Sequence, residues 1–309
     1  MSAAAGTAAV LAEAEAALAR AGVASPAADA LSLLAHAWER DEARVRRARL
    51  FDEDVPADIG RRFANLCARR GERVPLQHLT GIAHFRLLAL PVGPGVFVPR
   101  PETELVAQAG LDALAERRAR SGAGSGPARV LDLCTGSGAL GLALAVEAPG
   151  TSAVGVEIDA QAAAWAGRSV AAAGDLLAAS GSRFRVVLGD AGDAERVAGI
   201  CAAELGGSPH VVVSNPPYVL ADGSTCEPEV IGHDPRPALW GGGADGLAVP
   251  ARVIAAAAAV LAPGGVLVLE HADVQGAAVR TLMAGAGLTG AETRSDYTGR
   301  DRFTLATRC

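Results

Sequence analysis

The chain has no lysine. All 28 of its Lys/Arg positions are arginine in a sequence of 309 residues. With the heavy use of Ala and Gly, this absence reads as a GC-rich coding bias and not as a functional device. Asp and Glu number 34, so the net charge is −6 and the pI is near 5.6. General binding to nucleic acid usually needs a basic face, which this balance disfavours. Aromatic residues are scarce at 4%, and no basic, aromatic-rich target-recognition region stands out. The five cysteines (Cys67, Cys134, Cys201, Cys226 and Cys309) are odd in number and contain no CxxC pair. Neither a disulfide framework nor a zinc site is suggested, and no His/Cys/Asp/Glu group has metal spacing. A reducing cytosol fits best, so a cytoplasmic location is expected. The first ten residues lack a basic region, and Glu13 and Glu15 soon follow, so no signal peptide is expected. No apolar stretch is long and charge-free enough to span a bilayer. Val253 to Leu269 comes nearest, but Pro263-Gly264-Gly265 divides it into a helix and a strand.

What is present falls into three parts. Residues 1–74 are Ala/Leu-rich with charges on one side, and Ala8–Arg20, Pro26–Arg40 and Ala57–Arg70 read as helices of a small bundle. Ser25-Pro26 reads as a cap with a first-turn proline. The arginines of Arg46–Arg49 read as a solvated helix face. Residues 75–101 carry short apolar runs, Phe85–Leu90 and Gly95–Val98, between glycines and prolines, which suggests a β-hairpin linker. Arg100-Pro101-Glu102-Thr103-Glu104 opens a helix, and Ser121–Pro127 reads as a flexible loop. Over residues 102–309, strands are expected at Val130–Leu133, Ala153–Ile158, Arg185–Gly189, Val211–Ser214, Val266–Glu270 and Arg302–Ala306. Their alternation with helices predicts an α/β fold with a doubly wound, mostly parallel sheet.

The first of these strands runs into Cys134-Thr135-Gly136-Ser137-Gly138 and then a helix, Ala139–Val146. Such a glycine turn brings backbone close to a ligand, but alone it is common to many nucleotide binders. Glu157 lies at the end of the next strand, about twenty residues on, where a carboxylate can accept both hydroxyls of a ribose. Asp159 competes for that role but reads better as a helix cap. Asp190 ends the third strand, within reach of an adenine amino group. The full G-x-G-x-x-G of a dinucleotide site is missing. The same layout suits S-adenosylmethionine, which has a carboxylate but no phosphate.

Asn215-Pro216-Pro217-Tyr218 is the most informative segment. It follows Val211-Val212-Val213, an apolar run that reads as a buried strand, and the C-terminal edge of such a sheet is where ligands bind. Asn215 offers a side-chain oxygen to one N–H of a planar NH2, and the Pro216 carbonyl offers a second acceptor. The prolines fix the local backbone, and Tyr218 supplies a flat apolar face. A bare Pro-Pro would read as a turn; the full tetrapeptide behind an apolar strand reads as a site. His210 and His271 flank strands and read as structural, as does Cys134 in the turn.

These segments, with Pro75-Leu-Gln-His-Leu-Thr-Gly81, Val98-Pro-Arg-Pro-Glu-Thr-Glu104, Asp234-Pro235, Gly242-Gly243, Asp245-Gly246-Leu247, Glu270-His271, Gln275, Asp296 and Arg302, closely resemble the HemK/PrmC protein-glutamine N5-methyltransferases. The resemblance implies a helical substrate-recognition domain, a hairpin linker and a class I S-adenosylmethionine-dependent methyltransferase domain. It implies that residues 134–138, Glu157, Asp190, Ala191 and Asn215 line the cofactor site. It further implies that Asn215, Pro216, Pro217 and Tyr218 hold a glutamine from the Gly-Gly-Gln motif of a peptide chain release factor. Cys134, His210, Asp234 and Ala272 depart from the family's frequent residues. The tetrapeptide is shared with adenine-N6 methyltransferases, and sister enzymes that methylate a ribosomal-protein glutamine look similar. A non-catalytic module with the same fold is a third alternative. The chain is expected to act as a monomer, without direct nucleic-acid or membrane contact.

Overall fold

The computed structural model describes residues 5–121, 126–220 and 228–309. Most of the Gly/Ser-rich stretch expected as a loop, and Cys226, lie outside the described residues. The chain divides into two compact units, Met1–Ile82 with Glu227–His233, and Ala83–Cys226 with Asp234–Cys309.

The first unit contains the helices Thr7–Arg20, Pro26–Trp38, Glu42–Leu50, Ala57–Gly71 and Leu76–Thr80. Their apolar stripes meet in a core of Leu11, Leu18, Leu33, Leu34, Val45, Phe63 and Leu79. The second helix stops two residues before the expected Arg40, because Glu39 adopts a left-handed backbone. Pro26 sits in its first turn as expected, but the Ser25 side chain makes no capping hydrogen bond. Arg46 pairs with Glu42 one turn earlier at 2.8 Å, on an exposed helix face. A buried ion cluster crosses this unit. Arg70 Nε donates to Asp29 at 2.7 Å, and its guanidinium donates to Glu229 at 3.2 Å. Arg73 closes on the other Glu229 oxygen at 2.6 Å.

Within residues 75–101 a hairpin pairs Ile82–Phe85 with Leu88–Pro91. The apolar Gly95–Val98 run is not a second extended pair. Val96 and Val98 instead pack with Ala162 and Trp165.

The second unit is built on seven strands: β1 Ala128–Leu133, β2 Thr151–Glu157, β3 Arg183–Leu188, β4 Val211–Ser214, β5 Val266–Glu270, β6 Leu288–Ser295 and β7 Asp301–Arg308. They lie in the order β6-β7-β5-β4-β1-β2-β3. The first five are parallel, while β7 runs antiparallel to both β5 and β6. This is the class I methyltransferase fold. The central strands read as unbroken apolar runs because both sheet faces are covered. Alternation still sorts them. Val130, Val211, Val213 and Val268 enter the core beneath helices Thr103–Ser121 and Ala139–Glu147. Leu131, Leu133, Val212, Leu267 and Leu269 enter the core on the other face with helices Ala248–Val260 and Gly276–Gly285.

Strand β6 was not expected. Its sequence, LTGAETRS, is largely polar and it lies at the edge of the sheet, mostly exposed. Unlike that at Ser25, the cap expected at Asp159 forms: its side chain accepts from the backbone N–H of Gln161 and Ala162.

Candidate active site

Strand order reverses between β1 and β4, and Leu133 faces Ser214 in register there. The Ser214 hydroxyl also donates to the Leu133 carbonyl at 2.7 Å. The Cys134–Gly138 turn and the Asn215–Tyr218 segment therefore leave adjacent strand ends at the topological switch point, where open α/β sheets bind ligands.

The turn is held from below by Asp132. Its Oδ2 accepts from the Thr135 hydroxyl at 2.5 Å and the Gly141 N–H at 2.9 Å. Complete burial pushes this carboxyl up to about 7, against the pull of those two donors. Its Oδ1 is buried with no hydrogen-bond partner. Cys134 takes φ +61°, a left-handed conformation that disfavours any side chain. A glycine would adopt this backbone without strain. Gly138, at φ +85°, caps the following helix. Thr135 and Ser137 are buried.

Glu157 ends β2 and is buried. Its Oε2 accepts from Gly136 N–H at 2.9 Å, while Oε1 accepts from Ile158 and Asp159 N–H at 2.9 and 3.0 Å. A carboxylate has about four lone-pair sites and three are taken, so Oε2 can still receive a hydroxyl donor. Burial raises its pKa despite the three backbone donors. Asp190 follows β3 and has a partner that sequence reasoning missed: Arg252, from helix Ala248–Val260, donates to it at 2.6 Å. Burial would raise the Asp190 pKa, but Arg252 and the Gly192 N–H outweigh it and hold the carboxyl low. Ala191 beside it is buried.

The electrostatics test what this half can hold. Burial lifts the Cys134 thiol far above its ordinary range, and the charges of Glu157, Asp132 and Asp190 lift it further. The acidic groups around this turn, Glu157 and Asp190 with Asp132 charged only in part near pH 7, repel a pyrophosphate. They suit a ligand with a sulfonium, an ammonium and ribose hydroxyls, which is the make-up of S-adenosylmethionine. The residues present fit that group.

The second half contains a connected polar network. Asn215 Nδ2 donates to Thr103 Oγ1 at 3.3 Å. The Thr103 hydroxyl donates to Glu270 Oε2 at 2.7 Å. The Tyr218 hydroxyl donates to the other oxygen, Glu270 Oε1, at 2.9 Å. Glu270, the last residue of β5, is almost completely buried. Burial raises its pKa, while Thr103, Tyr218 and the Arg302 charge oppose the rise. Burial and the Glu270 charge together hold the Tyr218 hydroxyl well above its ordinary range, and thus protonated. Arg302 is itself fixed by Asp296 at 3.0 Å.

Tyr218 was expected to act through its flat face alone; the hydroxyl bond to Glu270 is an addition that no local motif reveals. Pro216 is buried and Pro217 partly so. The Tyr218 main chain is held separately, its carbonyl accepting from Gln275 Nε2 at 3.0 Å. Gln275 also donates to the Asp245 carbonyl at 2.8 Å and accepts from the Ala272 N–H at 2.9 Å. Gly246, at φ +70°, lies so close that a Cβ there would meet the Tyr218 carbonyl oxygen at 2.5 Å. Gln275 and Asp245-Gly246 therefore shape the loop.

Both histidines are structural. His210 bonds the Arg129 main chain through Nδ1 at 3.0 Å, and burial with Arg117 and Arg129 pulls it down to about 4. His271 is buried between the Ala272 carbonyl and the Thr304 hydroxyl, each at 2.8 Å. Among the described residues, no cluster of three or more His, Cys, Asp or Glu is placed to hold a metal ion.

Residues 9–81 match the family model of the PrmC N-terminal domain. Over 96% of this chain and 98% of its own length, the release factor glutamine methyltransferase of Bifidobacterium longum is 39% identical. The protein of the same name from Mycolicibacterium smegmatis is 41% identical over 96% of this chain and 95% of its own. The chain belongs to the release factor glutamine methyltransferase family. A further relative, the 4-amino-L-phenylalanine/4-methylamino-L-phenylalanine methyltransferase of Streptomyces pristinaespiralis, is 38% identical over 76% of this chain and 74% of its own. In this family member the two halves of the site meet at β1 and β4, and no described helix is long and apolar enough to cross a membrane.

Proposed function

We propose that this enzyme transfers a methyl group from S-adenosylmethionine to the side-chain amide nitrogen of the glutamine in the Gly-Gly-Gln motif of peptide chain release factors. One observation carries the reading. Asn215 spends its NH2 on Thr103, and no described residue donates to its Oδ1. A half-buried acceptor with no described donor of its own thus stands at the switch point, beside a turn suited to a sulfonium ligand. Residues 134–138, Glu157, Asp190, Ala191 and Asn215 would hold the cofactor, which when bound supplies an electrophilic methyl.

An amide nitrogen is a poor nucleophile because its lone pair is delocalised into the carbonyl. Asn215 Oδ1 and the Pro216 carbonyl accept its two N–H bonds and fix the NH2. That hold favours pyramidalisation and aims the lone pair, so positioning and matched hydrogen bonds supply most of the rate. Tyr218 packs beside the amide and excludes water. The product's extra proton leaves to solvent. The Streptomyces pristinaespiralis relative, named for an amino compound, supports a pocket organised around nitrogen.

On this reading the first unit recognises the protein substrate, and the enzyme works as a cytoplasmic monomer. The acidic balance weighs against an adenine in nucleic acid. The test is mass spectrometry of a release factor incubated with the enzyme and labelled S-adenosylmethionine, with duplex DNA as the control. One added methyl on the motif glutamine is expected; label in DNA instead would overturn the assignment. Asn215→Ala should lower kcat by about 100-fold or more, the size of loss seen when a transition-state hydrogen bond is removed. Its cofactor binding, read by calorimetry, should weaken far less than kcat falls, because residues 134–138, Glu157, Asp190 and Ala191 remain.

A further inference from the structure

The network behind the tetrapeptide has a direction. A hydroxyl carries one proton. Thr103 is 2.7 Å from Glu270 Oε2 and 3.3 Å from the Asn215 amide. Both Glu270 oxygens act as acceptors, one from Thr103 and one from Tyr218, so Thr103 gives its proton to Glu270. Thr103 Oγ1 can then only accept, and the Asn215 atom facing it must be the NH2. The carboxamide is planar, so Oδ1 is turned the other way. Glu270 Oε1 sets the Tyr218 hydroxyl in the same sense at 2.9 Å.

We propose that Glu270 is a positioning residue, acting through Thr103, that sets the hydrogen-bond polarity of the site and so presents Asn215 to the substrate as an acceptor. The inference rests on the assignment of Asn215 as the group that receives the substrate N–H. Glutamine at 270 keeps the shape but replaces one acceptor with a donor. With Nε2 toward Thr103, the Thr103 proton is released to Asn215 Oδ1, and the asparagine flips. Its NH2 then confronts the substrate NH2, two donors facing one another.

Three variants and a reference decide it. Glu270→Gln should lower kcat about 100-fold, the order lost when an oriented hydrogen-bond group is misdirected. Its cofactor Kd should stay within about threefold and its Tm within about 4 °C of the parent, the shift expected for 1 kcal/mol or less. Thr103→Val should lose kcat similarly, whereas Thr103→Ser, which restores the hydroxyl, should recover most of it. That contrast separates polarity from shape, and it stands even if Glu270→Gln fails to fold. Asn215→Ala is the reference. If it is inactive while Glu270→Gln or Thr103→Val keeps parental kcat, the relay is wrong and the site assignment survives. If Thr103→Ser is as poor as Thr103→Val, packing and not the hydroxyl is what matters, and the relay is again wrong. If Asn215→Ala is itself fully active, the assignment beneath the relay has failed.

Discussion

Asp29 and Glu229 in the helical unit are buried against arginine, whereas Glu270 in the methyltransferase unit is buried against two hydroxyls. In the first cluster, Arg70 contacts both acids and Arg73 adds a second cation to Glu229. Opposite charges cancel there, and the arrangement is indifferent to which donor serves which oxygen. Around Glu270 the donors are Thr103 and Tyr218, each with a single proton. Arg302 helps with its charge but is bonded to Asp296. A carboxylate satisfied by cations anchors structure. One satisfied by neutral hydroxyls dictates which way each partner points.

The contrast can be broken most forcefully at Arg70. Arg70→Ala leaves Asp29 and Glu229 short of their shared partner in a dry environment, and unfolding in denaturant should show a loss of about 3–5 kcal/mol. At temperatures where the variant is folded, kcat should be near parental. A large fall in kcat at unchanged stability would put this cluster on the same footing as Glu270. Glu157→Ala probes the cofactor half. Loss of a charged acceptor should weaken S-adenosylmethionine binding by about 1.5–3 kcal/mol, read by calorimetry, with kcat at saturation little changed. A drop confined to kcat would move Glu157 out of the cofactor site. The smallest effect concerns Asp132, another buried acid, which has no cation partner among the described residues. Its pKa is raised from about 3.8 to about 7, so its contribution to stability is complete below the unfolded value and is lost as pH rises through 7. Stability should fall by about 1 kcal/mol between pH 6 and 8 on its account. Asp132→Asn should flatten that part of the profile, and an unchanged slope would show that Asp132 does not titrate there.

Much of this architecture was legible in the chain. Val211-Val212-Val213 announced a doubly covered strand, and its observed span, Val211–Ser214, is the expected one. Strand β6 was opaque because an exposed edge strand needs no apolar run, and Gly290 at φ +65° interrupts its pattern. Gly95–Val98 misled in the opposite direction: its apolar residues are buried by packing on Trp165, not by strand pairing. Local motifs placed the Asn215 tetrapeptide and the glycine turn. They included Thr103 and Glu270 but gave neither a role, because the two lie 167 positions apart and meet only when the sheet closes. Arg252 and Asp190, 62 positions apart, were missed for the same reason.

Tyr218 is gripped twice, and the grips are independent. Gln275 and the backbone at Gly246 clasp its carbonyl, while Glu270 takes only its phenol. The path of the loop is thus decoupled from the ring it displays. The ring can therefore be exchanged without re-routing the chain past Asn215.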